Sequence, residues 1–219
     1  MNIAALGSPK QLEELNLIFS SASCSFTVLE NTKNISTTSF DLIFDLNFDN
    51  NPDSINEYIG IHSKCILCLS AVKIQLHQAI PKTLQAQVVG INALPTFLSR
   101  PLLEVCTLSN NIDFEIFKTL GWKSISIVES RIGMVSARII CMIINEAYFT
   151  LQEGTANRAD IDKGMKLGTA YPHGPFEWCE KIGIANVFDL LNGMANDTHD
   201  ERYKICSLLK TEYLIATNN

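Results

Sequence analysis

Strand signals run through the first 129 residues and then stop, and no other feature of the sequence constrains the fold as tightly. Up to Glu129, short apolar runs alternate with weakly helical stretches. Asn2–Leu6, Phe26–Glu30, Asp41–Asn47, Lys64–Ser70 and Gln87–Asn92 read as strands, and Leu102–Thr107 and Ser124–Val128 extend the series. Pro9–Ser20, a short stretch ending at Tyr58, Ile74–Ile80 and Ile112–Leu120 read as the helices between them. This alternation predicts an open parallel α/β sheet, and strands apolar on both faces predict helices on both sides. Beyond it only helices are read: Gly133–Glu153, Arg158–Leu167 between an Asn157 cap and a Gly168 stop, Phe176–Lys181, Gly183–Asn196 and His199–Leu214. The expected division is an α/β domain over residues 1–129 and an all-α domain over 130–219.

Composition narrows the function classes. An apolar fraction of 47% against 18% charged residues excludes a disordered chain. The 17 bases are scattered and outnumbered by 23 acids, so neither nucleic acid nor an anionic membrane is an expected partner. The longest apolar helix is interrupted by Arg138, Asn145 and Glu146, too polar for a membrane span. No leader-like segment is read at Met1, and the seven cysteines are dispersed, odd in number and mostly inside apolar runs. Both features point to buried thiols in a reducing, cytoplasmic setting. Cys65 and Cys68 have the spacing of a metal or redox pair, but a strand turns them to opposite faces. His62, His77 and His199 have no ligand spacing with acids or cysteines, so no metal is expected. In that setting the triplets Asn34-Ile35-Ser36 and Asn196-Asp197-Thr198 are chance glycosylation matches. There is no internal repeat, and the tail Thr217–Asn219 is too short to carry a function.

The sheet raises the question of a dinucleotide. Such a site needs small residues at three positions after the first strand: for a tight turn, for backbone approach to the pyrophosphate, and for close helix packing. The chain reads Gly7-Ser8-Pro9-Lys10-Gln11-Leu12, with only the first glycine in place. Pro9 lacks an N–H and Leu12 puts bulk at the close-packing position. Gly7 and Glu30, the latter at the distance suited to a ribose hydroxyl, are the only cofactor-binding candidates. The spaces beside Gly7 are expected to be filled by Pro9 and Leu12.

From Gly90 to about Leu191 the chain resembles the 3-hydroxyacyl-CoA dehydrogenase family. The resemblance rests on Glu146-Ala147, Glu153-Gly154, Asp160-Ile161-Asp162, Met165-Lys166-Leu167-Gly168, Pro172-His173-Gly174-Pro175 and Ile182-Gly183, in family order and spacing. It implies a shortened Rossmann-like parallel sheet followed by a helical 6-phosphogluconate-dehydrogenase-C-terminal-like domain. It also implies NAD-linked oxidation of a 3-hydroxyacyl thioester, by a histidine base that a glutamate orients, with asparagine and serine near the substrate oxygen.

Against that pattern the chain departs at named positions. Gly90-Ile91-Asn92-Ala93-Leu94-Pro95-Thr96 puts Asn92 where the resemblance implies the histidine and Pro95 where it implies an asparagine, while Glu104 stands at the orienting position. An amide does not titrate near neutrality and cannot take the hydroxyl proton. Glu104 is then left with nothing to orient, and reads either as a direct base or as a salt-bridged or solvent-facing residue. In Gly133-Met134-Val135-Ser136-Ala137-Arg138, Ala137 replaces the family's second asparagine. Ser70, ending a strand, matches the substrate serine and equally suits a turn. The retained catalytic candidates are Glu104 and Ser70.

The helical half is read structurally. Gly133–Glu153 is apolar nearly all round, so it must be covered on most sides, and a second subunit is expected there. Asn145 and Glu146 are expected as polar inclusions in a satisfied network. The small residues Ser136, Ala137 and Cys141 admit either a neighbouring helix or a ligand channel. His173 is taken as a turn residue. The expected protein is a noncatalytic or altered family homologue, a homodimer through its helical domain, without a cofactor, and able to bind an acyl-CoA-like or nucleotide ligand. The alternatives are an active NAD-dependent dehydrogenase and a subunit whose partner supplies the missing groups.

Overall fold

The computed structural model describes residues 1–33, 35 and 40–218. Asn34 and Ser36 of the first glycosylation triplet, and Asn219 of the tail, lie outside the described residues. The chain divides into two compact units, Met1–Met134 and Val135–Asn219.

The first unit is built on a seven-stranded sheet: β1 (Asn2–Leu6), β2 (Ser25–Val28), β3 (Leu42–Asp45), β4 (Ile66–Ser70), β5 (Val88–Ile91), β6 (Leu102–Thr107) and β7 (Ser124–Ile127). Their spatial order is β2-β1-β3-β4-β5-β6-β7. Every pairing is parallel except β5 with β6. The sheet is thus the expected open, mostly parallel one, with one antiparallel pair. The connection from Asn92 to Pro101 contains no crossover helix, so the chain returns alongside β5 in the opposite sense.

Both faces of the sheet are covered. On one side α1 (Pro9–Phe19), α3 (Glu115–Leu120) and Trp122 pack Leu15, Phe19, Phe117 and the indole against Phe44, Cys68, Val89 and Val105. On the other, α2 (Leu76–Ala79) and a 3-10 turn over Pro52–Tyr58 cover Ile43, Leu67, Leu69 and Val88. Cys68 lies in the first core and Cys65 in the second, so the two thiols do sit on opposite faces. Burial pushes Cys65 and Cys106 up to about 12 and Cys179 to about 11, far from thiolate chemistry. Gly90 is fixed by crowding: a Cβ there would stand 2.6 Å from Cys106 Sγ and 3.0 Å from Ala71 Cβ.

The second unit is helical: α4 (Ser136–Gln152), α5 (Arg158–Thr169), α6 (Pro175–Ile182), α7 (Ile184–Thr198) and α8 (Ser207–Thr217). The helix anticipated from Gly133 starts three residues later, because Gly133 and Met134 both adopt positive φ, at 83° and 45°. Gly168 does not stop α5, which runs on to Thr169 and ends with Ala170 in the left-handed region. The last anticipated helix is broken. His199 ends α7 at φ 51°, a 3-10 turn covers Glu201–Tyr203, and α8 begins at Ser207. Asn145 supplies the reason: its amide takes Cys206 N–H at 2.9 Å and gives a hydrogen bond to Lys204 O at 2.9 Å, holding that segment open. The inclusion is thus satisfied as anticipated, whereas Glu146 is exposed rather than included.

The α6 turn explains the Pro172–Pro175 motif. Asp162 from α5 accepts the N–H groups of Phe176 (2.8 Å) and Glu177 (3.1 Å), capping α6 from outside. Its carboxylate lies where a side chain at Gly174 would have to go. Glu177 bonds back to Gly174 N–H at 3.1 Å and pairs with Lys166. His173 stands 3.8 Å from Glu177 as a flank of this cap.

Candidate functional site

Gly7, Glu30, Ser70, Asn92 and Glu104 all belong to the sheet unit, and four of them gather along one edge of it. Gly7, Ser70 and Asn92 follow or end the parallel strands β1, β4 and β5, and Glu30 lies just past β2. Ligands of open α/β sheets bind at this carboxyl edge, where neighbouring strands lead off in opposite directions. Here that switch lies between β1 and β3. Glu104 comes from antiparallel β6 and reaches Asn92 across the β5–β6 pair.

Asn92 and Glu104 form the best-defined contact of the candidate set. Asn92 is 2% exposed and Glu104 6%. The amide Nδ2 donates to Glu104 Oε2 at 3.1 Å, and the two backbones are joined by Asn92 N–H to Glu104 O at 3.1 Å. Glu104 therefore does have a partner to orient, and neither a solvent-facing position nor an empty role fits it. Arg100 adds positive charge nearby. Burial lowers its pKa, and the charges of Glu14 and Glu104 act to raise it. The pair is thus a buried amide–carboxylate contact, and the amide has no proton to exchange near neutrality.

The turn after β1 is packed closely, by residues other than those anticipated. A Cβ on Gly7 would lie 2.9 Å from Leu46 Cβ, so the leucine following β3 occupies the ground over the glycine. The start of α1 is sealed from within: Ser8 N–H donates to Gln11 Oε1 at 3.0 Å, and Gln11 N–H to Ser8 Oγ at 3.4 Å. Gln11 Nε2 then donates to Leu46 O at 3.3 Å and Ala93 O at 2.7 Å, tying α1 to the loops after β3 and β5. Pro9 at the first helical position offers no N–H and Pro9 itself is exposed, while Leu12 packs against the core. A pyrophosphate would need backbone approach at Gly7 and open N–H groups at the helix start. Glu30 is exposed.

Ser70 is already engaged. It is 2% exposed and its hydroxyl donates to Asp49 Oδ2 at 2.6 Å. Asp49 also accepts Val72 N–H at 3.1 Å and Lys73 N–H at 2.7 Å. Desolvation raises the Asp49 pKa against the pull of these donors. Asp45, 1% exposed at the end of β3, accepts Tyr58 Oη at 2.9 Å, Ser54 Oγ at 3.1 Å and Asn47 N–H at 3.0 Å, and burial raises its pKa too.

Gln11, Glu14, Asp45 and Asp49 escaped the sequence reading. Gln11 and Glu14 carried a usable signal, since they share the buried stripe of α1 with Leu15 and Phe19. Glu14 holds the N–H groups of Thr96 (2.6 Å) and Ser99 (3.2 Å), steadying a loop in which Thr96 adopts φ 81°. Asp49 carried none: it sits in a 3-10 turn, and its partners lie 21 to 24 residues away.

In the helical unit Ala137 is fully buried in α4, with no side-chain polar atom to offer. Ile140 is core, while Ile139 is 54% exposed. Between α4 and α5 an apolar groove of about 280 Å³ is lined by Ile143, Ala147, Ile161, Met165 and Pro175. Among the described residues no helix is long and apolar enough to cross a membrane, and no three His, Cys, Asp or Glu side chains gather as metal ligands.

The sequence profile of the 3-hydroxyacyl-CoA dehydrogenase C-terminal domain matches residues 133–215. The 3-hydroxyadipyl-CoA dehydrogenase of Escherichia coli K12 is 41% identical over 85 residues, which cover 39% of this chain and 18% of that protein. The 3-hydroxybutyryl-CoA dehydrogenase of Bradyrhizobium diazoefficiens is 34% identical over 118 residues, 50% of this chain and 40% of its own length. The match thus spans less than half the length of these curated relatives. The crystal structure of M. tuberculosis FadB2 superposes with a TM-score of 0.77 over 98% of this chain and 93% of that one, at 14% identity, a likeness of fold.

Proposed function

From the premise that this chain is a relative of the 3-hydroxyacyl-CoA dehydrogenases, carrying that family's C-terminal domain over residues 133–215, we propose that it is a noncatalytic homologue acting as a dimer. The observation that carries the reading is the Asn92–Glu104 hydrogen bond. The carboxylate that would orient a base orients an amide, which cannot accept the proton that must leave when a hydroxyl is oxidised. Leu46 over Gly7 and the Gln11 ties across the same corner support the absence of NAD.

Dimerisation through the helical unit is supported by the exposed Ile139 and the apolar groove between α4 and α5. Ile143, half-buried at that groove, is the residue to replace, because Asp at Ile140 would break the core instead. Seven free cysteines, six of them buried, support a reducing, cytoplasmic setting. The ligand we assign is an acyl-CoA-like thioester or nucleotide, bound without turnover.

Calorimetry with NAD, NADH, free CoA and an acyl-CoA tests this, alongside an assay for NADH formation from a 3-hydroxyacyl-CoA. The expected result is no NAD binding at micromolar concentrations and no turnover. Submicromolar NAD affinity overturns the closed-corner reading. Turnover abolished by Glu104→Gln or Ser70→Ala would establish the second reading, an altered NAD-dependent oxidoreductase, which the retention of buried Glu104 favours. Sedimentation of Ile143→Asp as a monomer beside a dimeric parent tests the assembly. A stoichiometric co-purifying protein would point instead to a subunit completed by its partner.

A further inference from the structure

The segment Leu46–Asn51 folds back over the strand ends like a strap. Leu46 N–H bonds Leu6 O at 2.9 Å and its side chain covers Gly7. Four residues on, Asn50 Oδ1 accepts Lys73 Nζ at 2.9 Å. Between these anchors the Asp49 carboxylate is seated among three donors supplied by the end of β4: Ser70 Oγ and Val72 N–H on Oδ2, and Lys73 N–H on Oδ1. Two successive backbone N–H groups with an adjacent hydroxyl make an oxyanion cradle of the kind proteins use for carboxylate or phosphate groups. The cradle is braced from its far side, where Val72 O accepts Gly133 N–H at 2.6 Å and Leu76 N–H donates to Ser130 Oγ at 2.8 Å. Its donors are thus held in place by contacts other than Asp49.

We propose that Ser70 Oγ and the N–H groups of Val72 and Lys73 form an oxyanion-binding site that Asp49 occupies in cis, so that the strap acts as an autoinhibitory contact a small carboxylate- or phosphate-bearing ligand must displace. The proposal rests on neither Asn92 nor the Gly7 corner and shares only Ser70 with the second, dehydrogenase reading, so anion binding by Asp49→Ala and NADH turnover succeed or fail separately. A strap that served only as a turn would leave no anion preference behind when its carboxylate is removed.

The test is Asp49→Ala in the full chain, titrated with sodium acetate and, separately, with inorganic phosphate, against sodium chloride at matched ionic strength. The readout is the backbone amide resonances of Val72 and Lys73. In the variant these two amides are expected to shift saturably with at least one oxyanion, binding at least tenfold tighter than in the parent. Adding Ser70→Ala is expected to weaken that binding several-fold. The tighter of the two anions identifies the ligand group as carboxylate or phosphate. Shifts that do not saturate, that chloride reproduces, or that match those of the parent overturn the proposal. If Asp49→Ala is unfolded, the same titration is read as the folded fraction: recovery with acetate or phosphate beyond that in chloride supports the site, and no recovery overturns it.

Discussion

Two helix starts in this molecule look alike in sequence and behave differently. Both α1 and α6 open with proline after a residue in extended conformation. At α6 the first free N–H groups are taken by Asp162, a side chain from another helix, so the cap joins α5 to α6. At α1 the cap is local, made between Ser8 and Gln11, and its effect is to shut the strand edge beside it. The residues that carry the family resemblance in the helical unit, Asp162, Gly174 and Pro175, therefore do packing work. They can be retained whether or not any chemistry survives. The positions on which the proposed loss of chemistry rests, Asn92 and the Gly7 corner, lie in the sheet unit instead.

The largest effect expected from breaking this contrast is at Gly174. An alanine there must displace the Asp162 carboxylate, and overpacking of this kind costs about 2–3 kcal/mol, to be read as a lower urea midpoint for the helical signal. Asp162→Ala, which removes the cap without adding bulk, is expected to cost about 1–2 kcal/mol. Ser8→Ala, at the local cap, is expected to cost about 0.5–1 kcal/mol. If the two cap deletions prove equal, the distinction between a joining cap and a local one fails.

The units should also differ in the sign of their pH dependence. Burial raises the Asp45 pKa above its ordinary 3.8, so within that window the folded sheet unit holds more protons than the unfolded chain. Its contribution is full below 3.8 and is lost as pH rises through the raised folded value. The hydrogen bond from Lys166 lowers the Glu177 pKa below 4.5, so the contribution of Glu177 is present above 4.5 and lost as pH falls. Unfolding followed separately by Trp122 and Trp178 fluorescence in single-Trp variants should show these opposite slopes, and Asp45→Asn should flatten the first.

The sharpest effect on the site is expected from Asn92→His. It places a titrating imidazole beside Glu104, with a pKa that Glu104→Gln should lower by about 1–2 units in an NMR titration. On the proposed noncatalytic reading this variant forms no NADH; turnover in it would overturn the part of that reading that rests on Leu46 and Gln11.

Most of the architecture was legible from residue patterns because it follows from them. Alternating runs such as Lys64–Ser70 fix strands, and the end of alternation near Glu129 falls close to the Met134–Val135 division. What was not legible depends on partners distant in sequence. Asn145 breaks the last helix through Lys204 and Cys206, and Asp49 reaches Ser70 and Lys73. At the candidate site, the amide at Asn92 was readable from the sequence. Its hydrogen bond to Glu104, and the approach of Leu46 rather than Pro9 to Gly7, depend on neighbours brought together only by the fold.

The ties of Gln11 to Leu46 O and Ala93 O make the closure of the strand edge a shared property of three segments rather than of any one residue. Loosening any one of these segments alone leaves the other two tied, so single substitutions there are expected to read as small, overlapping effects. Substitutions meant to loosen this edge therefore have to be sampled jointly at Gln11 and its two neighbours in space.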